Sequence, residues 1–224
     1  MYRNLYKQHS QGVVMLAKQL ENTVEFLGTG FLAHDKGYIL TCSHIINQTD
    51  LIVALLPPSL NTFNPMTLSR VNLIPLTLVQ NNPINDVALL KINNPDIGVK
   101  VPQNLFGETT TLECGSNIAT IGFPFGYESL HLQSINQGIV SAKTVTANGV
   151  KLIQFDSMIH EGNSGGPLLD VQTGKVIGIV TNRFNPTKGG GIMIGNHQLG
   201  VETNISYAAI IEYGIELIEN ELKS

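Results

Sequence analysis

Apolar and polar positions in this chain alternate over short stretches, and Gly, Asn and Pro punctuate them, which is the pattern of β-strands joined by tight turns. Residues 12–16 form a short apolar run, and residues 25–33 and 38–41 flank His34-Asp35-Lys36-Gly37, which predicts a hairpin. Residues 51–56 and 71–79 read as strands joined by a Pro- and Asn-rich loop. Val87-Ala88-Leu89-Leu90-Lys91-Ile92 predicts a buried strand, ended by Asn93-Asn94-Pro95. Residues 98–107 have a connector's composition, so a boundary is expected near residue 105. Strands follow at 116–122, 137–147 and 150–156, with Asn148-Gly149 as the hairpin signal between the last two. The Gly-rich run at 188–200 reads as a mobile loop. Helical spacing appears only at the end, in Tyr207, Ile210, Ile211, Gly214, Ile215, Ile218 and Leu222, with Ser206 as the N-cap. These patterns predict an all-β chain with units at 12–105 and 106–205, followed by a helix over 206–223.

Composition narrows the function classes. The chain has 224 residues, of which 42% are hydrophobic and 13% charged, enough for a substantial core. A formal net charge of −4 gives no electrostatic case for nucleic acid as a partner, and no basic run suggests a membrane surface. No stretch approaches the ~18 consecutive apolar residues of a membrane span. The apolar core of the N-terminus is only Val13-Val14-Met15-Leu16-Ala17, and neither a leader nor its cleavage site is seen, so a cytoplasmic location is expected. Cys42 and Cys114 cannot build a disulfide framework and are expected to be reduced.

The chemistry is concentrated in Glu161-Gly162-Asn163-Ser164-Gly165-Gly166-Pro167. A nucleophilic serine must stand clear of its neighbours, and peptide N–H groups beside it must converge to hold an oxyanion; flanking glycines permit both. A serine hydroxyl is a poor nucleophile at neutral pH, so a base and a group to orient that base are needed. Among the six histidines, His44 follows the strand Tyr38-Ile39-Leu40-Thr41 directly and is the candidate base. His9, His34, His131 and His197 sit in turns or tails with nothing chemical around them, and His160 reads as a loop residue beside the serine. Asp86, at the start of the buried strand 87–92, is the candidate acid, because a carboxylate against an apolar strand requires strong hydrogen bonds.

Gly28-Thr29-Gly30-Phe31, Gly37-Tyr38-Ile39-Leu40-Thr41 with His44, Asn85-Asp86-Val87-Ala88-Leu89-Leu90, Ile121-Gly122-Phe123-Pro124-Phe125-Gly126, Gly138-Ile139-Val140-Ser141 and Gly162-Asn163-Ser164-Gly165-Gly166-Pro167-Leu168 occur in that order. Together they resemble a trypsin-like serine protease of the HtrA/Deg group over about residues 12–185. The resemblance implies one peptidase unit over 1–224, built from two six-stranded antiparallel β-barrels of the chymotrypsin-like fold with the site between them. It implies that Ser164 attacks the peptide carbonyl, that His44 is the general base, that Asp86 orients it, and that the turn Gly162-Asn163-Ser164 forms the oxyanion hole. No metal or cofactor is implied. No downstream PDZ domain is expected, because the sequence ends at Ser224. Asn163 stands where digestive relatives carry an aspartate, so activation by a newly cut amino terminus is not expected.

The same resemblance lines the substrate pocket with Met158, Ile159 and His160 and with Val180, Thr181 and Asn182. Met158 sits where enzymes that cut after Lys or Arg carry an aspartate, which implies cleavage after small to medium apolar residues. Members of the group commonly form trimers through N-terminal aromatic residues. Tyr2 and Tyr6 have no evident local role in the sequence, so a homotrimer pinned by this arm is expected. A protease-like peptide-binding module without catalysis is the alternative to an active endopeptidase; such modules usually lack a triad residue or a glycine of the turn.

Overall fold

The computed structural model describes residues 1–56, 61–65, 71–94, 96–124, 126, 131–157, 159–183, 193–194, 197–198 and 204–223. Six strands form the first closed barrel: β1 (Val13–Gln19), β2 (Val24–His34), β3 (Tyr38–Thr41), β4 (Ile52–Leu55), β5 (Leu73–Asn82) and β6 (Val87–Ile92), in the spatial order β1-β2-β3-β6-β5-β4. The second barrel takes β7 (Asn117–Gly122), β8 (Ser134–Val145), β9 (Lys151–Asp156), β10 (Pro167–Asp170) and β11 (Val176–Arg183). A short pair, β12 (Met193–Ile194) with β13 (His197–Gln198), precedes its last strand, β14 (Ile205–Ile210). The order there is β10-β11-β14-β9-β8-β7, and every pairing in both barrels is antiparallel. The expected chymotrypsin-like architecture is present.

The alternation within single strands explains why the barrels lie against each other. In β6, Ala88 and Leu90 pack inside the first barrel with Leu16, Ile39 and Ile74. Val87 and Leu89 point the other way, into a core shared with Ala119, Ile121, Leu169 and Ile179 of the second barrel. Successive strand residues face opposite sides, so a strand with a core on each side must be apolar throughout. Burial of this shared face holds the end of β3 against the turn before β10, where the candidate residues sit.

The C-terminal helix α2 (Ile211–Lys223) bridges the barrels. A side chain at Gly214 would fall 2.7 Å from Leu40 of β3 and 3.3 Å from Ile179 of β11, so glycine there sets how closely the helix docks. The helix starts five residues later than the Ser206 cap predicts. Residues 205–210 pair instead with both β9 and β11 and close the second barrel, so ladder hydrogen bonds override the capping signal.

The N-terminus differs more. Tyr2–His9 form a helix, α1, that buries Leu5 and His9, while Tyr2 and Tyr6 are half-buried against the shared core. The two tyrosines therefore have a local packing role, which removes the ground for reading them as idle assembly residues. His9 is not a bare tail residue either: its Nε2 lies 2.8 Å from the carbonyl oxygen of Gly174 in the β10–β11 turn. Much of the 188–200 loop lies outside the described residues. Cys42 is buried and Cys114 exposed, and both are free thiols. No helix among the described residues is long and apolar enough to cross a membrane.

Candidate active site

The first barrel supplies an acid–base pair. Thr41 ends β3, and the chain then turns through Cys42 and Ser43 to His44. The His44 backbone N–H donates to Asp86 Oδ1 at 2.9 Å, and Nδ1 of the ring lies 2.8 Å from Oδ2 and 2.9 Å from Oδ1. Asp86 holds a left-handed backbone with φ of 55°, immediately before β6. Asp tolerates that region better than most residues, and it aims the carboxylate back at His44 rather than along the strand. The turn is supported by the Asn85 N–H donating to Asn82 Oδ1 at 3.1 Å. Fixing Nδ1 on a carboxylate leaves Nε2 as the ring atom available for proton transfer.

The second barrel supplies the serine turn. Gly162 has φ of +102° and Gly165 φ of +89°, conformations that other residues rarely adopt. A side chain on Gly162 would collide with the Phe123 carbonyl, and one on Gly165 with the Thr29 carbonyl. Gly165 also sits against Thr41 and the Cys42 backbone nitrogen, two residues before His44, which seats the serine turn at the end of β3. The turn is stapled by Gly165 N–H to Val180 O at 2.7 Å, Gly166 N–H to Asn163 O at 3.0 Å and Asn163 N–H to His160 O at 3.2 Å. The N–H groups of Gly162 and Ser164 donate to no acceptor among the described residues. The Ser164 hydroxyl donates to Thr181 O at 2.5 Å and makes no hydrogen bond to His44. Asn163 is buried, and neither polar atom of its carboxamide has a partner among the described residues.

The pocket expectation fares unevenly. Met158 and the side chain of Asn182 lie outside the described residues. Ile159 and Val180 are buried in the core of the second barrel. Thr181 is buried, with its carbonyl on Ser164 and its hydroxyl 3.4 Å from Tyr207 O, while His160 is half-buried beside the turn. Thr29 belongs to the Gly28-Thr29-Gly30-Phe31 motif, and nothing in the sequence alone gives it a chemical role. Its hydroxyl donates to Gly162 O at 2.6 Å, and a β-branched polar residue between two glycines on a buried strand was the available signal.

Cys42, His44 and Asp86 each offer one ligand atom, all within 4.8 Å of one another. The gap between His44 and Asp86 is already closed by their hydrogen bond. Burial, and then the Asp86 charge, push the Cys42 thiol well above its ordinary range, and its Sγ donates to Val180 O at 3.1 Å. A neutral, hydrogen-bonded thiol is a poor ligand, because metals take the thiolate. The group reads as a hydrogen-bonded set around a carboxylate.

Residues 28–179 match the family described as Trypsin-like peptidase domain. A relative from Pseudomonas putida (strain F1), named "Probable periplasmic serine endoprotease DegP-like", is 33% identical over 206 residues, which cover 91% of this chain and 36% of that protein. One of the same name from Hahella chejuensis is 33% identical over 199 residues, covering 88% and 35%. The chain thus spans about a third of the length of these relatives. Among solved structures, the HtrA-type protease AlgW with tripeptide aligns over 98% of this chain and 62% of that one, at 25% identity and a TM-score of 0.71. The serine endoprotease from Yersinia pestis, at 24% identity and a TM-score of 0.67, supports the fold.

These names correct the cytoplasmic expectation: the relatives are called periplasmic, which points to an extracytoplasmic setting. The short apolar run behind that expectation is strand β1 of the first barrel, and its length says nothing about export.

Proposed function

We propose that this chain, which belongs to the trypsin-like peptidase domain family, is an extracytoplasmic serine endopeptidase in which Ser164, His44 and Asp86 form a catalytic triad. The observation that carries the reading is the His44–Asp86 pair. The imidazole is held through Nδ1 and its own backbone N–H on one carboxylate, at the end of the strand against which the serine turn is seated.

The reaction follows from that arrangement. The Ser164 hydroxyl leaves Thr181 O and turns to His44 Nε2, which takes the proton as Oγ bonds to the scissile carbonyl carbon. The carbonyl oxygen gains the negative charge and is held by the unpaired N–H groups of Gly162 and Ser164. Collapse of this intermediate breaks the C–N bond, and His44 passes its proton to the departing amine. Water then attacks the acyl-serine by the same route in reverse. Asp86 keeps the proton of the neutral ring on Nδ1 and stabilises the imidazolium.

Substrates on this reading are polypeptides, cut after small to medium apolar residues. The support is the identity of Met158: a cationic side chain reaching that floor would lose its hydration with no carboxylate to replace it. Wild-type protein should degrade an unfolded substrate such as casein while Ser164→Ala leaves it intact; equal rates from the two would remove Ser164 from the mechanism. Product sequencing should show cuts dominated by Val, Ala, Leu or Ile, and a majority after Lys or Arg would overturn the pocket assignment.

A further inference from the structure

Thr29 lies in the middle of β2, in the first barrel, and is fully buried. All of its polar atoms are engaged, and most of its partners belong to the second barrel. Its backbone N–H donates to Ser164 O at 2.9 Å. Its hydroxyl donates to Gly162 O at 2.6 Å and accepts from the Phe123 N–H at 3.2 Å. Its own carbonyl accepts from the Thr41 hydroxyl at 2.7 Å. One residue therefore holds the carbonyls of both turn residues whose N–H groups have no acceptor among the described residues.

We propose that Thr29 is a positioning residue for the oxyanion hole, and that through it the first barrel sets the direction of the two N–H donors in the second. The proposal rests on the triad reading given above. Pinning Gly162 O and Ser164 O fixes the peptides that follow these residues, which carry the Asn163 and Gly165 N–H groups. Each donor N–H lies across the Cα of the pinned residue, so its direction is set through that residue's φ and ψ. Gly162 most needs such a hold, because a glycine at φ of +102° has no side chain to confine it. The hydroxyl is suited to the task because it bonds in both directions. With Phe123 N–H as its donor, the proton is directed at Gly162 O, and the Phe123 peptide leaves β7 of the same barrel as the turn. Gly28 completes the arrangement. A side chain there would come within 2.9 Å of Ser164 O, so the preceding position must be bare for the Thr29 N–H to reach its acceptor.

Threonine to valine keeps the shape and removes the hydroxyl, which leaves Gly162 O and Phe123 N–H unpaired in a buried site. The turn is then free to swing its first donor away from the oxyanion. The effect belongs to the transition state, so it should fall on kcat rather than on KM. Removing one oxyanion donor outright costs about 10²–10³ in kcat. Loosening it should cost roughly 10–100-fold.

The test compares wild type, Thr29→Val, Thr29→Ala, Thr29→Ser and Ser164→Ala on a chromogenic peptide with an apolar residue before the scissile bond, with thermal unfolding recorded for each. The expected result is kcat lowered about 10–100-fold in Thr29→Val and Thr29→Ala, with KM within about threefold of wild type. Thr29→Ser should recover to within about threefold, and the pH profile of kcat should keep its position because His44 and Asp86 are untouched. Should Thr29→Val fail to fold, the contrast between Thr29→Ala and Thr29→Ser decides. Equal kcat in Val, Ala and Ser variants, or a loss confined to KM, would overturn the role of Thr29 while wild-type turnover still depends on Ser164. Undiminished turnover in Ser164→Ala would instead overturn the triad reading, and this proposal with it.

Discussion

The two barrels prepare their halves of the site to different degrees. In the first, His44 is joined to Asp86 by ring and backbone alike; His44 follows the buried strand β3, and Asp86 precedes the buried stretch 87–90 of β6. In the second, the serine stands in a turn whose glycines hold conformations other residues rarely adopt, with its hydroxyl on Thr181 O and two N–H groups unpaired. On the proposed reading, His44 is held on Asp86 independently of Ser164, and competence is decided at the serine turn. On that reading the Ser164 hydroxyl must exchange its hydrogen bond to Thr181 O for one to His44.

The comparison can be broken hardest at the serine. Ser164→Ala should lower turnover about 10⁶-fold, and adding His44→Ala should cost little more, because the residues act as a unit. Peptide hydrolysis at limiting enzyme measures this, with folding checked by circular dichroism. Additive losses in the double variant would separate the two residues.

On the other half, Asp86→Asn keeps the volume but holds the imidazole in the wrong tautomer, a change worth about 10⁴-fold where a triad operates. It should leave fluorophosphonate reactivity low but measurable and raised by alkaline pH. The next effect returns to the turn. Gly162→Ala strains a backbone at φ of +102° and drives a methyl group onto the Phe123 carbonyl, so kcat should fall about 10²-fold or more together with the unfolding temperature. A Gly162→Ala protein with wild-type kcat would show that this turn is not the oxyanion hole.

The smallest effect lies away from the site, at α1. Burial pulls the pKa of His9 below its ordinary 6.5, partly opposed by the hydrogen bond to Gly174. The unfolded chain therefore takes up this proton first, so the His9 contribution is present above about pH 6.5 and is lost as pH falls from there through the lower folded value. Unfolding temperature measured across that range should fall less steeply with acid in His9→Gln than in wild type. Parallel profiles would remove His9 as the cause.

How much of this was legible in the sequence depended on whether local chemistry or tertiary contact decided the matter. The apolar run of β6 announced a buried strand, and Asn148-Gly149 announced the β8–β9 hairpin. His44 and Asp86 were legible because a histidine after a strand and a carboxylate before a buried one both require partners, and each is the other's. The helix α1 was not legible. Its eight residues bury only Leu5 and His9, too thin a stripe to separate from a polar tail. For the pocket segments the sequence supplies only neighbourhood to the serine; that Val180 packs in the barrel core while the Thr181 carbonyl accepts from Ser164 depends on strand alternation and tertiary packing. Thr29 escaped because its partners in the second barrel lie 94 to 135 positions away and only the packing of the two barrels brings them together.

The central claim is that Ser164 is the nucleophile and His44 its base. Its most direct test is covalent capture: folded wild-type protein is incubated with a fluorophosphonate probe and the adduct is located by mass spectrometry of the digested chain. The account predicts a single phosphonyl group on Ser164 Oγ, with loss of fluoride. The adduct should form orders of magnitude more slowly in His44→Ala and be absent in Ser164→Ala. An unlabelled Ser164 in protein that still hydrolyses peptides, or labelling at an unchanged rate in His44→Ala, would contradict it.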